Sequence, residues 1–148
     1  MKDCCRELEN HRGNLNIYIY MDPIADMFVI IVNAQRVQKQ NVSVSYSKLK
    51  MEIAKLFESK GYIKEAVRHG RKTRRTIDIV LNYTGDKPAI ENIRRISKPS
   101  RRIYSGWRQL KTYRKGRGFV IISTPKGIMG SGEAEKSKLG GEVLGRIL

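Results

Sequence analysis

Cysteine and histidine are scarce in this chain. Its two cysteines, Cys4 and Cys5, are adjacent, and its histidines are His11 and His69. Neighbouring cysteines suit neither a disulfide framework nor the spaced pairs of a zinc site, and two separated histidines complete no metal cluster. No metal or other cofactor is expected. Long apolar runs are missing too. None approaches the roughly 18 residues that read as a membrane span, and the N-terminal stretch mixes acids with bases and lacks the apolar segment of a secretory signal. A cytoplasmic address without a membrane partner is the expectation.

Acid is the third scarcity. The chain holds 30 Lys and Arg against 14 Asp and Glu, a net charge of +16. None of that excess lies in residues 1–20, where Lys2, Arg6 and Arg12 balance Asp3, Glu7 and Glu9. Residues 92–132 contain no acid at all, while Arg94, Arg95, Lys98, Arg101, Arg102, Arg108, Lys111, Arg114, Lys115, Arg117 and Lys126 are basic. Such a region repels itself unless it faces a polyanion. A merely solvated basic face is the plain reading; the interleaved Tyr104, Trp107 and Tyr113 favour nucleic acid.

With 148 residues, 40% of them hydrophobic, the chain can build one ordinary domain or two small ones sharing a surface. Asp22 followed by Pro23 is a helix start, and Ile24, Met27, Phe28 and Ile31 recur at helical spacing, so a helix is predicted over 23–36. "VSVSY" alternates as a strand. Ser47 then stands where it can cap a second helix with Leu49, Ile53, Leu56 and Phe57 on one face, ended by Gly61. Residues 62–67 and 76–83 read as two further strands, the second with Ile77, Ile79, Leu81 and Tyr83 alternating. After a turn at "TGDKP", "AIENIRRI" is a predicted strand and "SKPSRR" a proline-bearing joint. The remainder is strand-rich: "RRIY", a helical or turn segment at "WRQLKTY", an apolar run over 119–122, one turn near 133–136 and a closing "GEVLGRIL". The predicted fold class is α+β, with an N-terminal α-β-α-β-β lobe over 21–96 and a C-terminal lobe over 97–148 built on an antiparallel sheet.

Enzyme chemistry finds little support. Gly127 and Gly132 have P-loop spacing, yet Glu133 and Ala134 follow where Lys and Ser or Thr must reach phosphate and magnesium. "GRG" at 116–118 is too short for a dinucleotide fingerprint, and Ser123 has no histidine in a recognisable partnership. "IISTPKGIMG" reads otherwise. Pro125 disfavours helix at Thr124, so the strand is expected to present the hydroxyls of Ser123 and Thr124 without folding them back. Lys126 supplies charge for a phosphate, and Gly127 permits positive φ or a close backbone approach. These groups suit the wide minor groove of an RNA helix; an ordinary Ser/Thr/Pro/Gly turn accounts for the same residues.

The segments "MDPIADM", "NAQ", "YSKLK", "KGYI", "KPAI", "ISKP", "RRIYSG", "ISTPKGIM" and "GGEVL" occur in an order and spacing similar to the small-subunit ribosomal protein S-eight family of bacterial and organellar type. The signature G-x-x-[LIV]-[LIV]-S-T-x-x-G-[LIVM]-[LIVM] is met from Gly118 to Met129. The resemblance covers residues 21–144. It implies a non-catalytic binder of the central domain of small-subunit (16S-type) rRNA, beside neighbouring small-subunit proteins, on a cytoplasmic or organellar ribosome. It places RNA contacts at Ser123, Thr124, Lys126 and Gly127, with Tyr104 and Glu142 beside them and Ser47 and Lys48 contributing from the N-terminal lobe. The basic span adds Arg101 and Lys115 as phosphate contacts. Two rivals stand: a translational regulator that binds an mRNA hairpin, and a basic RNA-modifying enzyme.

Departures from the family pattern accompany the match. Pro125 replaces a serine, removing a hydroxyl and an N–H. "MGSGEAEK" stands for the usual "MTDREARK", and the C-terminus ends "LGRIL". In "MFVIIVNAQ", Ile30 and Val32 hold positions usually occupied by arginine. Residues 1–20 have no family counterpart, and Met21 is a competing start site. Yet Leu15, Ile17 and Ile19 alternate with Asn16, Tyr18 and Tyr20 as a strand would, and an amphipathic strand there is expected to cover Ile30 and Val32.

Overall fold

Asp22 starts the first helix in the way its side chain allows. In the computed structural model, which describes residues 22–71, 74–85, 87–114 and 118–148, its Oδ1 accepts the N–H groups of Ile24 and Ala25 at 3.1 and 3.2 Å. These are donors that the first turn leaves unpaired, and Pro23 has none to lose. Helix α1 runs Pro23–Arg36, as its spacing predicts. Strand β1 (Asn41–Ser45), helix α2 (Lys48–Ser59) and strands β2 (Ile63–His69) and β3 (Thr76–Leu81) follow. The three strands form an antiparallel sheet in the order β1-β3-β2. Their inward residues, Val42, Val44, Ile77, Ile79 and Leu81, pack with Met27, Phe28 and Ile31 of α1 and Ile53 and Phe57 of α2. Phe28 stacks on Phe57, so both helices lie on one face.

The "TGDKP" turn is itself a small hairpin, β4 (Tyr83–Thr84) with β5 (Lys87–Pro88). Beyond it, β6 (Ile93–Arg95) pairs with β10 (Gly141–Ile147). The chain thus enters the second sheet before the proline-bearing joint. That sheet runs β6-β10-β8-β9, with β7 (Tyr104–Ser105) pairing the other end of β10. Here β8 is Phe119–Thr124 and β9 is Gly127–Gly130. A 3-10 turn at Trp107–Gln109 leads into α3 (Leu110–Tyr113), and α4 (Ser131–Lys136) precedes β10.

The second sheet is buried on both faces, which is why its central strands are nearly continuous apolar runs. Phe119, Ile121, Leu144 and Ile147 join the core shared with α1 and α2, while Val120, Ile122 and Val143 face Leu110 of α3 and Ala134 of α4. A bulge between Val143 and Gly145 turns two successive residues toward the first face. Gly145 is required there, since a Cβ would lie 2.9 Å from the Arg94 carbonyl oxygen and 3.0 Å from the Phe28 ring.

Two expectations need correction. Val32 needs no covering strand, because it is 7% exposed within the main core; Ile30 alone of that pair is left outside, at 40%. Helix geometry separates them: two residues apart is about 200° around the axis, so Ile30 and Val32 cannot share a face. Ser47 occupies the N-cap of α2, but its side chain makes no capping bond. Residues 1–20 lie outside the described residues, as does Lys115.

Candidate nucleic-acid interface

Strands β8 and β9 meet in a tight hairpin, with Thr124 opposite Gly127. Pro125 and Lys126 form its corner, and Gly127 has φ +113, a conformation that side chains resist. The turn recaptures the hydroxyl of Thr124, which donates to the Gly127 carbonyl at 2.9 Å and accepts the Lys126 N–H at 3.3 Å. Thr124 is 8% exposed. The predicted free hydroxyl is therefore absent at this residue. Pro125 keeps Thr124 extended, as expected, but reversing the chain brings the backbone of Lys126 and Gly127 within its reach. Lys126 itself is exposed at the tip.

Ser123 points to the other face. It stands opposite Glu142 on β10, and Glu142 stands opposite Tyr104 on β7. Directly opposed residues share a face of the pleat, so Tyr104, Glu142 and Ser123 form a row across three strands. Tyr104 is 67% exposed. Gly141 allows the strands to close at this row, because a Cβ there would lie 2.0 Å from the Ser123 carbonyl oxygen.

Glu142 is held in place. The fully buried Ser97 donates its hydroxyl to Oε1, and Arg102 donates to Oε2 at 3.1 Å. The carboxylate thus stays oriented and partly neutralised in a positive region, while its remaining lone pairs can only accept hydrogen bonds.

The row opens into a cleft of about 320 Å³ between the second sheet and the N-terminal ends of α1 and α2, where Ser123, Glu142, Lys98 and Arg102 meet Ser47, Lys50 and Asp22. Its basic groups divide in two. Arg95 is committed to structure: its Nε is 2.8 Å from Asp22 Oδ2, and Nη1 donates to the Leu144 carbonyl. Lys50 is buried, with Nζ donating to the hydroxyl of Ser45 at 2.8 Å and to its carbonyl at 3.3 Å. Lys98 and Arg101 flank a two-residue turn closed by reciprocal backbone bonds of 2.9 and 3.0 Å. Both are exposed, like Lys48 and Lys126, and none of the four has an ion pair among the described residues.

Of the residues singled out from sequence, Ser47, Ser123 and Glu142 line one cleft, Tyr104 adjoins them, and Lys48, Arg101 and Lys126 are exposed nearby or at the hairpin tip. Thr124 and Gly127 shape the hairpin. Sequence reasoning assigned no role to Ser97 or Lys50, and counted Arg95 and Arg102 only within the basic span, not as the partners of Asp22 and Glu142. Ser97 lies inside the "ISKP" segment, but a serine's burial against a distant glutamate has no local signature.

The surface brings together hydroxyls, an oriented carboxylate, a bare aromatic ring and exposed cations. A model of the family described as Ribosomal protein S8 matches residues 22–148. The chain belongs to the ribosomal protein S8 family. Its relatives include proteins called "Small ribosomal subunit protein uS8" from Ruthia magnifica subsp. Calyptogena magnifica, 46% identical, and from Dechloromonas aromatica (strain RCB), 43% identical. Each match spans 123 residues, 83% of this chain and 94% of the relative. A uS8 from Vesicomyosocius okutanii subsp. Calyptogena okutanii (strain HA) is 44% identical with the same coverage. The S8 family is structural and non-enzymatic, in keeping with the failed P-loop and the unaccompanied Ser123.

Proposed function

We propose that this chain is a structural constituent of the small ribosomal subunit that binds the central domain of 16S-type rRNA and helps assemble it beside neighbouring small-subunit proteins. The observation that carries this reading is the convergence of Ser47, Ser123 and Glu142 on one cleft with Tyr104 alongside. In it, Ser123 exchanges hydrogen bonds with 2′-hydroxyls or base edges in a shallow groove, and Tyr104 stacks on an exposed base or ribose. Lys126 and the backbone at Gly127 approach phosphate from the hairpin tip. Arg101 and Lys115 add phosphate contacts from the acid-free span, and Ser47 and Lys48 add a second contact from the N-terminal lobe. Thr124 acts by holding the hairpin. The protein works on the ribosome, cytoplasmic or organellar.

Crosslinking the chain to RNA in its own cell and sequencing the crosslinked RNA tests this. Recovery of a single segment in the central domain of small-subunit rRNA is the expected result. Dominant recovery of an mRNA hairpin would replace it with a translational regulator.

A further inference from the structure

The connection from β2 to β3 carries charge that the cleft does not use. Residues 66–77 hold five bases and no acid. The four arginines described there, Arg68, Arg71, Arg74 and Arg75, are all exposed, and none has an ion pair among the described residues. Like charges this close in the chain repel one another until an anion meets them.

Their place in the fold follows from strand direction. Strands β1 and β2 are parallel, each being antiparallel to β3. The end of β1, the end of β2 and the start of β3 therefore lie at one end of the first sheet. Helix α2 begins at that same end, because only Tyr46 and Ser47 separate it from β1. Tyr46 joins the two: its N–H donates to the Arg75 carbonyl at 3.0 Å, and the Arg68 guanidinium lies 5.8 Å from its ring centroid. The next residue, Ser47, lines the cleft. A basic surface thus runs from the cleft, past Tyr46, to the arginines.

The acid that follows the cluster does not neutralise it. Arg68 stands opposite Ile77, whose side chain enters the core, so Arg68 emerges on the helix-covered face. Asp78 lies on the other face, where it accepts the Ser43 hydroxyl at 2.5 Å and stands 3.9 Å from His69 Nε2. The first turn of α2 contains no acid either. Backbone contacts hold the remaining arginines close together: Arg74 N–H donates to the Arg71 carbonyl at 3.0 Å, and a Cβ at Gly70, where φ is +93, would lie 2.0 Å from the Arg74 carbonyl oxygen. Less order is then lost on binding.

We propose that Arg68, Arg71, Arg74 and Arg75 form a second RNA contact, which grips the phosphate backbone of the rRNA beyond the segment held in the cleft. Resting on the rRNA reading above, it places a contact on an element outside both the hydroxyl row and the acid-free span. The planar fork of a guanidinium matches a pair of phosphate oxygens. Contacts of that kind add affinity and fix orientation without reading sequence.

RNA binding across a salt series and hydroxyl-radical footprinting of the full chain test this, with a transcript of the central domain of small-subunit rRNA and a generic duplex as probes. Arg71→Ala combined with Arg74→Ala should lower the slope of log K against log salt by about 1.4 to 1.8, the share of two phosphates, and weaken both probes. The melting temperature should stay unchanged, and Arg71→Lys with Arg74→Lys should keep most of the slope because it keeps the charge. On the transcript, the alanine pair should lose one protected stretch of backbone and retain the rest. A parent chain with no preference for the transcript over the duplex would overturn the rRNA reading and this proposal with it. With that preference intact, an unchanged slope and footprint would overturn this proposal alone and assign the arginines to an acidic protein neighbour.

Discussion

Ser97 and Glu142, distant in sequence, form a hydrogen bond in which a fully buried hydroxyl aims a carboxylate into the cleft. The same Ser97 oxygen accepts the Ile103 N–H at 3.4 Å. Ser97 therefore ties the proline-bearing joint to β10 at the row that carries Ser123 and Tyr104.

Ser97→Ala should reduce stability by about 1 to 3 kcal/mol, the usual cost of stranding a buried partner. RNA affinity should fall as well, since Glu142 and Arg102 lose their orientation. Denaturant titration and RNA binding well below the melting temperature separate the two effects. An unchanged affinity would show that the orientation of Glu142 does not matter to binding.

The Asp22–Arg95 pair has both side chains 13% exposed. Breaking a mostly buried pair by removing one partner costs about 3 to 5 kcal/mol. Arg95→Ala should fall near the lower end, because Asp22 keeps the two N–H donors of α1. Chemical denaturation measures this, and a loss under about 1 kcal/mol would mean that water replaces the guanidinium without penalty.

Binding should be strongly salt-dependent. Each neutralised phosphate contributes about 0.7 to 0.9 to the slope of log K against log salt. Arg101→Ala and Lys115→Ala should each reduce that slope by about one and weaken cognate and generic RNA alike. A flat salt dependence of the parent protein would remove phosphate contact as the main source of affinity.

Ser123 and Thr124 should part company. Ser123→Ala should leave the melting temperature nearly unchanged and weaken cognate RNA binding by about 1 to 3 kcal/mol, with a smaller loss on a generic duplex. Thr124→Val should instead destabilise the fold by about 1 kcal/mol, as its two hairpin bonds vanish. Equal losses on both RNAs for Ser123→Ala would demote that hydroxyl to a backbone contact.

Sequence alone was enough for the elements whose information is local. The Asp22-Pro23 cap, the helical spacing over α1 and α2 and the alternation of β1 and β3 are written within a few residues, because capping and periodicity act over one or two turns. The polyanion partner was legible for a related reason: a surplus of one charge must face its opposite wherever the chain folds. Tertiary structure decided what depends on residues far apart. The hydroxyl of Thr124 turned inward because chain reversal placed a backbone acceptor and a backbone donor beside it, a geometry that Pro125 only partly announces. Ser97 acquired Glu142, and Ser47 came to share a cleft with Ser123, only when the chain closed on a shared core. Long-range pairings of this kind leave no pattern in a single sequence, since each partner alone is an ordinary polar residue with many places to go.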